Sequence, residues 1–279
     1  MKWNIVADSS CDLMYKNIEC DEVGFSTIPF VLNIGGKEFI DDENLNVSNM
    51  IEEMENCPTA CGSACPSPQQ WAEHFEKAQN SIAITISGNL SGSLSSAVIG
   101  KDMVLEKYPE KNILVLNSYS TGPETALCIY KLVQWIKNGD DFSTIQSKAE
   151  KFLKDTHTCF ALSSFDNLVK NGRMSKLTGF VARKLGMWGI GIATEEGTIA
   201  MKGKSRGPEK AINIIIEDMK ERGFGGEQVA ISHCFNKDMV ERLSDKILQL
   251  WPDAEIITLA TRGLDSFYAE RGGLIVAYK

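Results

Sequence analysis

Three serine- and glycine-rich strings are the places where this chain can grip an anion. Asp8-Ser9-Ser10-Cys11-Asp12, Ser87-Gly88-Asn89-Leu90-Ser91-Gly92-Ser93 and Asn117-Ser118-Tyr119-Ser120-Thr121-Gly122 each follow a short apolar run. Glycine lets backbone approach a ligand, and serine offers a rotatable hydroxyl. Where such a loop opens a helix, free N–H groups and the positive end of the helix dipole add to the pull on a carboxylate or phosphate. Any one of these serines is also a common helix N-cap. Three such loops at one sheet edge point to a site.

Other reactive types are fewer. Arg173 in Asn171-Gly172-Arg173-Met174-Ser175 and Arg206 in Lys204-Ser205-Arg206-Gly207 sit beside glycines, where a guanidinium meets phosphate, a partner's carboxylate or only solvent. Of three histidines, His74 falls on a helix after Ser67 and His157 in a Thr-His-Thr turn; His233 follows a strand and is the one placed to face a cleft. Cys57, Cys61 and Cys65 are spaced C-x3-C-x3-C with no histidine nearby, unlike the C-x2-C pairs of structural zinc, and read as loop or buried thiols. There is no P-loop, no G-x-G-x-x-G after the first strand and no H-E-x-x-H. The nearest string to a G-x-S-x-G elbow, Gly88-Asn89-Leu90-Ser91-Gly92, has its serine one place late.

The elements that position these loops read as alternating strands and helices. Residues 3–7, 82–86 and 113–116 are continuous apolar runs, the mark of parallel strands covered on both faces. Ligands of such sheets bind beyond the carboxyl ends of the strands. Ser67-Pro68-Gln69-Gln70 and Ser143-Thr144-Ile145-Gln146 carry capping-box patterns, a helix is expected from Leu94, and another over 124–138 ends before Gly139. The pattern then changes. A strand at 159–162 precedes a helix from Phe165 to Ser175 that ends in a Gly172-Arg173 loop, and Glu196-Gly197 between β-prone stretches reads as a hairpin. Met239, Leu243, Ile247 and Leu250 lie at helical core spacing, and 229–232, 255–258 and 274–277 read as further strands. The expected fold is α/β with two domains: a Rossmann-like parallel-sheet domain over 1–157, and a second α/β domain with a mixed sheet over 158–279.

The bulk numbers suit this. The chain has 279 residues, 43% hydrophobic and 24% charged, enough for a core and a pocket. A net charge of −8 with scattered basic residues argues against nucleic acid as the partner. No run of eighteen apolar residues and no signal peptide is present, so a cytoplasmic protein with mostly reduced cysteines is expected.

Five blocks, in order along nearly the whole chain, carry a family resemblance. Ala7-Asp8-Ser9-Ser10-Cys11-Asp12-Leu13 resembles "TDSTADL" of the DegV family of bacterial fatty-acid-binding proteins. Ser63-Ala64-Cys65-Pro66-Ser67-Pro68 resembles "TSQPSP", and Ile86 to Ser93 resembles "ISSxLSGT". Asn171 to Lys176 resembles "GGRISK", and Lys204 to Gly207 resembles "KxRG". The resemblance implies a long-chain fatty acid lying between and within two α/β domains, with no cofactor. It places the carboxylate on Ser63 and Ser91, with backbone N–H groups around Gly92 and Ser93 adding to the grip. Some members are the non-catalytic, lipid-binding subunit of an ATP-dependent fatty acid kinase; Arg173 and Arg206 are then candidates for partner docking or for steadying the phosphoryl group. Two stretches depart from the family. Its "HTGPGALG" corresponds to Tyr268-Ala269-Glu270-Arg271-Gly272-Gly273-Leu274, with tyrosine at the histidine position, and its "IKPIL" to Met187-Trp188-Gly189-Ile190-Gly191.

The physics is consistent with a lipid. Burying about fourteen methylenes at about 0.8 kcal/mol each supplies roughly 11 kcal/mol gross, reduced by the cost of ordering the ligand. Hydroxyls and amides at a helix start offset the desolvation of the carboxylate. Two rivals are a binding protein for another small anion, such as a phosphorylated metabolite, and a serine-dependent hydrolase or phosphotransferase using Ser91.

Overall fold

A computed structural model describes residues 2–18, 20, 22–174 and 186–279. The first half runs β1 (Trp3–Asp8), β2 (Val23–Ile28), β3 (Val31–Ile34), β4 (Lys37–Ile40), α1 (Val47–Asn56), β5 (Gly62–Ala64), α2 (Pro68–Phe75), β6 (Asn80–Thr85), α3 (Ser93–Lys107), β7 (Asn112–Asn117), α4 (Pro123–Lys137) and α5 (Phe142–Lys154). The second runs β8 (His157–Leu162), α6 (Asp166–Lys170), β9 (Met187–Ala193), β10 (Ile199–Arg206), α7 (Pro208–Glu221), β11 (Gln228–His233), α8 (Lys237–Leu250), β12 (Glu255–Ala260), α9 (Gly263–Ala269) and β13 (Leu274–Tyr278).

The apolar runs build a parallel sheet in the order β2-β1-β6-β7. Every residue of β1 and β6 is buried, as their unbroken hydrophobicity requires. The second sheet is mixed, β10-β9-β8-β13-β11-β12, with only the β11–β12 pair parallel. The hairpin joins β9 to β10, and Gly197 turns it at φ +77. A small antiparallel sheet, β4-β3-β5, has no counterpart in the sequence reading. Helix α4 packs against both large sheets: Ala126 to Ile129 share one core with Ile5, Ile82 and Leu116 of the first sheet and Ala230 and Ala277 of the second. Its first seven residues are all buried, as a helix enclosed on every side demands.

Local signals hold at most helix ends. Ser67 caps α2 in a full capping box. Gly139 and Gly172 close α4 and α6 with paired back-bonds to the last turn: Gly139 N–H to Ile136 and Asp140 N–H to Trp135, Gly172 N–H to Val169 and Arg173 N–H to Leu168. This motif stops α6 at Lys170, so the Gly172-Arg173 loop ends the helix as expected; Ser175 and Lys176 lie outside the described residues. The cap of α5 is Asp141, which accepts the Thr144 N–H at 2.8 Å, so the pattern at Ser143 lies two residues inside the helix. Met239, Leu243 and Ile247 are core, but Leu250 at the end of α8 is 42% exposed.

Candidate functional site

The order β2-β1-β6-β7 changes direction between β1 and β6, so the crevice of the parallel sheet opens beyond these two strand ends. The loop after β1 fills one side of it. Asp8, fully buried, accepts from Ser10 Oγ at 2.5 Å, from Ser93 Oγ at 2.6 Å and from the Ile86 N–H at 3.0 Å. Ser9 takes the Phe30 N–H at 3.0 Å. The first serine loop is therefore an internal brace rather than a ligand loop. The hydroxyl of Ser93 belongs to that brace, and Gly92 faces Cys65; neither lines the cavity beside them.

That cavity, about 770 Å³ of empty space counting its open mouth, lies between the two large sheets. Strand periodicity explains its wall. On β8, Thr158, Phe160 and Leu162 line it, while the alternate residues Cys159 and Ala161 pack into the core behind. Phe160 stands beside Ile275 of β13, also on the wall. Gly191 of β9 makes room for the Phe160 ring, since a Cβ there would sit 2.3 Å from it. Phe30, Ile86, Leu90 and Leu264 continue the apolar lining.

Polar groups gather at one end. Ser63, on β5 opposite Leu32, places Oγ 3.0 Å from Tyr268 Oη of α9. The Arg173 guanidinium lies 5.9 Å from the centre of the Tyr268 ring, and its Nε donates to Leu90 O at 3.0 Å. Ser91 follows Leu90 on the wall and accepts the Ser93 N–H at 3.2 Å. Ser63, Ser91, Arg173 and Tyr268 thus share the wall of one cavity. Arg206 does not join them: it is exposed at the end of β10, beside Met187. The third serine loop contributes Ser120 and Thr121 to the wall.

Sequence reading missed an acidic cluster under the same wall. Asp41 accepts the N–H groups of Gly263 and Leu264 at 2.7 and 2.9 Å, capping α9, and lies 3.7 Å from Arg262 Nε. Asp12 accepts the Arg262 N–H at 2.7 Å, and Asp265 accepts from Thr121 Oγ1 at 2.8 Å. Asp12 Oδ2 and Asp265 Oδ2 come together beside Gly122, both buried and without a hydrogen-bond partner. Burial raises Asp12 to about 7 and, with the Asp12 charge beside it, holds Asp265 well above the ordinary carboxyl range. Gly122 makes this pairing possible, because a Cβ there would lie 2.4 Å from Asp265 Oδ2 and 2.9 Å from Asp12 Oδ2. Close by, burial raises Glu124 to about 8, against the hydrogen bond it accepts from Thr158 at 2.6 Å. An acidic residue inside a fully apolar helix start was the one available signal for Glu124; the aspartates meet across more than 200 residues of chain and left none.

The histidines lie elsewhere. His74 Nδ1 is 2.8 Å from Ser26 Oγ, and burial lowers it to about 4. His157 meets Arg222 at 3.3 Å. His233, expected at a cleft, instead accepts the Asn236 N–H at 3.2 Å at the start of α8. None of the three lines the cavity. Among the described residues no group of three metal-ligating side chains occurs, the cysteines at 57, 61 and 65 included. No helix among those residues is long and apolar enough to cross a membrane.

The comparisons agree with this architecture. The family model described as "Uncharacterised protein, DegV family" matches residues 2–278. A DegV domain-containing protein of Streptococcus pyogenes serotype M1 is 40% identical over 279 residues, covering 100% of both chains. The crystal structure of the Streptococcus pneumoniae Fatty Acid Kinase (Fak) B3 protein, loaded with linoleic acid, superposes with a TM-score of 0.97 at 36% identity, over 100% of this chain and 99% of that one. A DegV family protein from Eubacterium eligens, loaded with heptadecanoic acid, gives a TM-score of 0.95 at 30% identity over 99% of each chain. With the family model matched almost end to end and these relatives matched at full length, the chain belongs to the DegV family.

Proposed function

We propose that the chain binds one long-chain fatty acid, its carboxylate at Ser63 and Ser91 and its tail along the apolar cavity. The observation that carries this is the cavity's lining: a largely apolar wall from both sheets that also carries the Ser63, Ser91 and Tyr268 hydroxyls and the Arg173 guanidinium. A carboxylate there receives hydroxyl protons and the field of Arg173, while the tail is removed from water. Tyr268 stands where the family's histidine is expected and offers a neutral O–H through Ser63. The Gly92 N–H and Ser93 N–H stand behind Ser91 and act on the ligand only through it. Residues 1–157 supply the headgroup loops, and 158–279 cover the tail.

The lipid-loaded kinase-subunit protein among the structural neighbours supports a further step. The chain presents the carboxylate to a separate ATP-dependent kinase, which forms the acyl phosphate. Arg173, at the headgroup, steadies the phosphoryl group, and exposed Arg206 takes part in docking. The hydrolase reading has less support, since Ser91 accepts a backbone N–H and the cavity wall contains no histidine.

Denaturing the natively purified protein and analysing the extract by mass spectrometry is expected to release a fatty acid. Repeated preparations that release none, with no acyl chain competing for the cavity, would sink the proposal. A short hydrophilic anion in the extract would favour the phosphorylated-metabolite alternative.

A further inference from the structure

Cys57 and Cys61 flank the short link between α1 and β5, and the fold brings their sulfurs together. Each thiol donates to the same acceptor, Thr59 O, at 3.7 Å. Both are partly exposed, and all eight cysteines are free. The tight β3–β4 turn lies under them: a Cβ on Gly35 would sit 3.2 Å from Cys57 Sγ. The two thiols differ. Thr59, whose Oγ1 is 3.3 Å from Cys57 Sγ, holds that thiol below its ordinary value, whereas burial and the neighbouring Cys57 raise Cys61. An accessible, thiolate-leaning cysteine next to a second thiol is the arrangement of an oxidisable pair.

We propose that Cys57 and Cys61 are a peroxide-sensitive pair that closes into an intrachain disulfide, and that closure displaces β5 and the Ser63 hydroxyl it carries. The Cys57 thiolate attacks one oxygen of the peroxide. An S–O bond forms, the O–O bond breaks, and the leaving hydroxide takes a proton to become water. Cys61, having lost its proton, then attacks the Cys57 sulfur; the S–S bond forms, the S–O bond breaks, and a second water leaves. Two thiols are oxidised by two electrons, and one peroxide is reduced. Cys61 immediately precedes β5, two residues from Ser63, and Ser63 pairs with Leu32 one hairpin away from Gly35, so a change of sulfur positions is passed to the strand directly. This second part rests on the lipid-binding reading; the first does not.

The test treats the reduced, full-length protein with hydrogen peroxide, blocks free thiols and maps disulfides by mass spectrometry. The expected result is a Cys57–Cys61 bond reversed by dithiothreitol, and in Cys61→Ser a Cys57 sulfenic acid trapped by a 1,3-dione. Oleate affinity is expected to fall several-fold in the oxidised wild type, to return on reduction, and to ignore peroxide in the Cys57→Ser/Cys61→Ser protein. Free thiols at both positions after oxidation, or pairing of either with Cys65, overturns the disulfide. Full oxidation with unchanged oleate affinity overturns the coupling to Ser63. If the reduced protein binds no fatty acid at all, the lipid reading and the coupling fail together, and the mapping still decides the disulfide.

Discussion

Helix α9 carries a polar cluster at each end, and the two are built differently. At its start, carboxylates meet fixed partners: Asp41 takes two backbone N–H groups, Asp12 a third, and Asp265 the Thr121 hydroxyl. At its end, Tyr268 meets Ser63 through hydroxyls that have used one proton between them, with the Arg173 guanidinium beside the ring. Groups of the first kind tie together segments far apart in sequence, although Asp12 Oδ2 and Asp265 Oδ2 keep no hydrogen-bond partner. Groups of the second kind keep a free donor, which is what an incoming carboxylate needs. Bonds to the backbone of distant segments thus mark the first cluster, and hydroxyls with a proton to give mark the second, on a single helix.

The comparison breaks most easily at Asp41. Asp41→Ala strands two helix-start N–H groups and the Arg262 charge in the interior, and should cost about 3–5 kcal/mol in denaturant unfolding; a loss inside experimental error would deny the cluster its structural role. Acidity offers the next lever. Asp12 and Glu124 titrate near 7 and 8 in the folded chain, against the ordinary carboxyl range when unfolded. The native state therefore holds protons that the unfolded chain has released, so this stability is present below about pH 4 and is lost as pH rises toward 8. The thermal midpoint should fall across that window, and Asp265→Asn, which removes one of the two facing carboxyls, should flatten the fall; a slope identical to wild type would exclude Asp265 from it. At the other end of α9, Ser63→Ala and Ser91→Ala should each weaken fatty-acid binding by about 1–3 kcal/mol in calorimetry while leaving the melting curve of the empty protein in place. Unchanged affinity in both removes them from the headgroup. Tyr268→Phe is the mildest test, with an expected loss of about 1 kcal/mol of affinity. A larger loss of fold stability than of affinity would move Tyr268 into the structural class.

Much of the frame was legible because it rests on local rules. Buried parallel strands are continuous apolar runs, and Ser67, Gly139 and Gly197 are read from capping and turn chemistry. Ser63 and Ser91 were legible as motif residues, and they do reach one cavity wall. What escaped depends on distance along the chain. Ser9, Ser10 and Ser93 look like ligand serines until Asp8 is seen to engage Ser10 and Ser93 from inside, and Ser9 the Phe30 amide. The Gly172-Arg173 loop was legible as the end of α6, but that it sets Arg173 beside Tyr268 was not.

Helix α4 adds one consequence. Because the same residues of α4 pack into one core with strands of both large sheets, that core is closed by neither half alone. A cut in the link between α5 and β8 would give two fragments with open apolar faces, not two independent folding units. The intact chain should melt in one cooperative transition, and a guest should enter through loops at the rim of the cavity and not by the halves swinging apart.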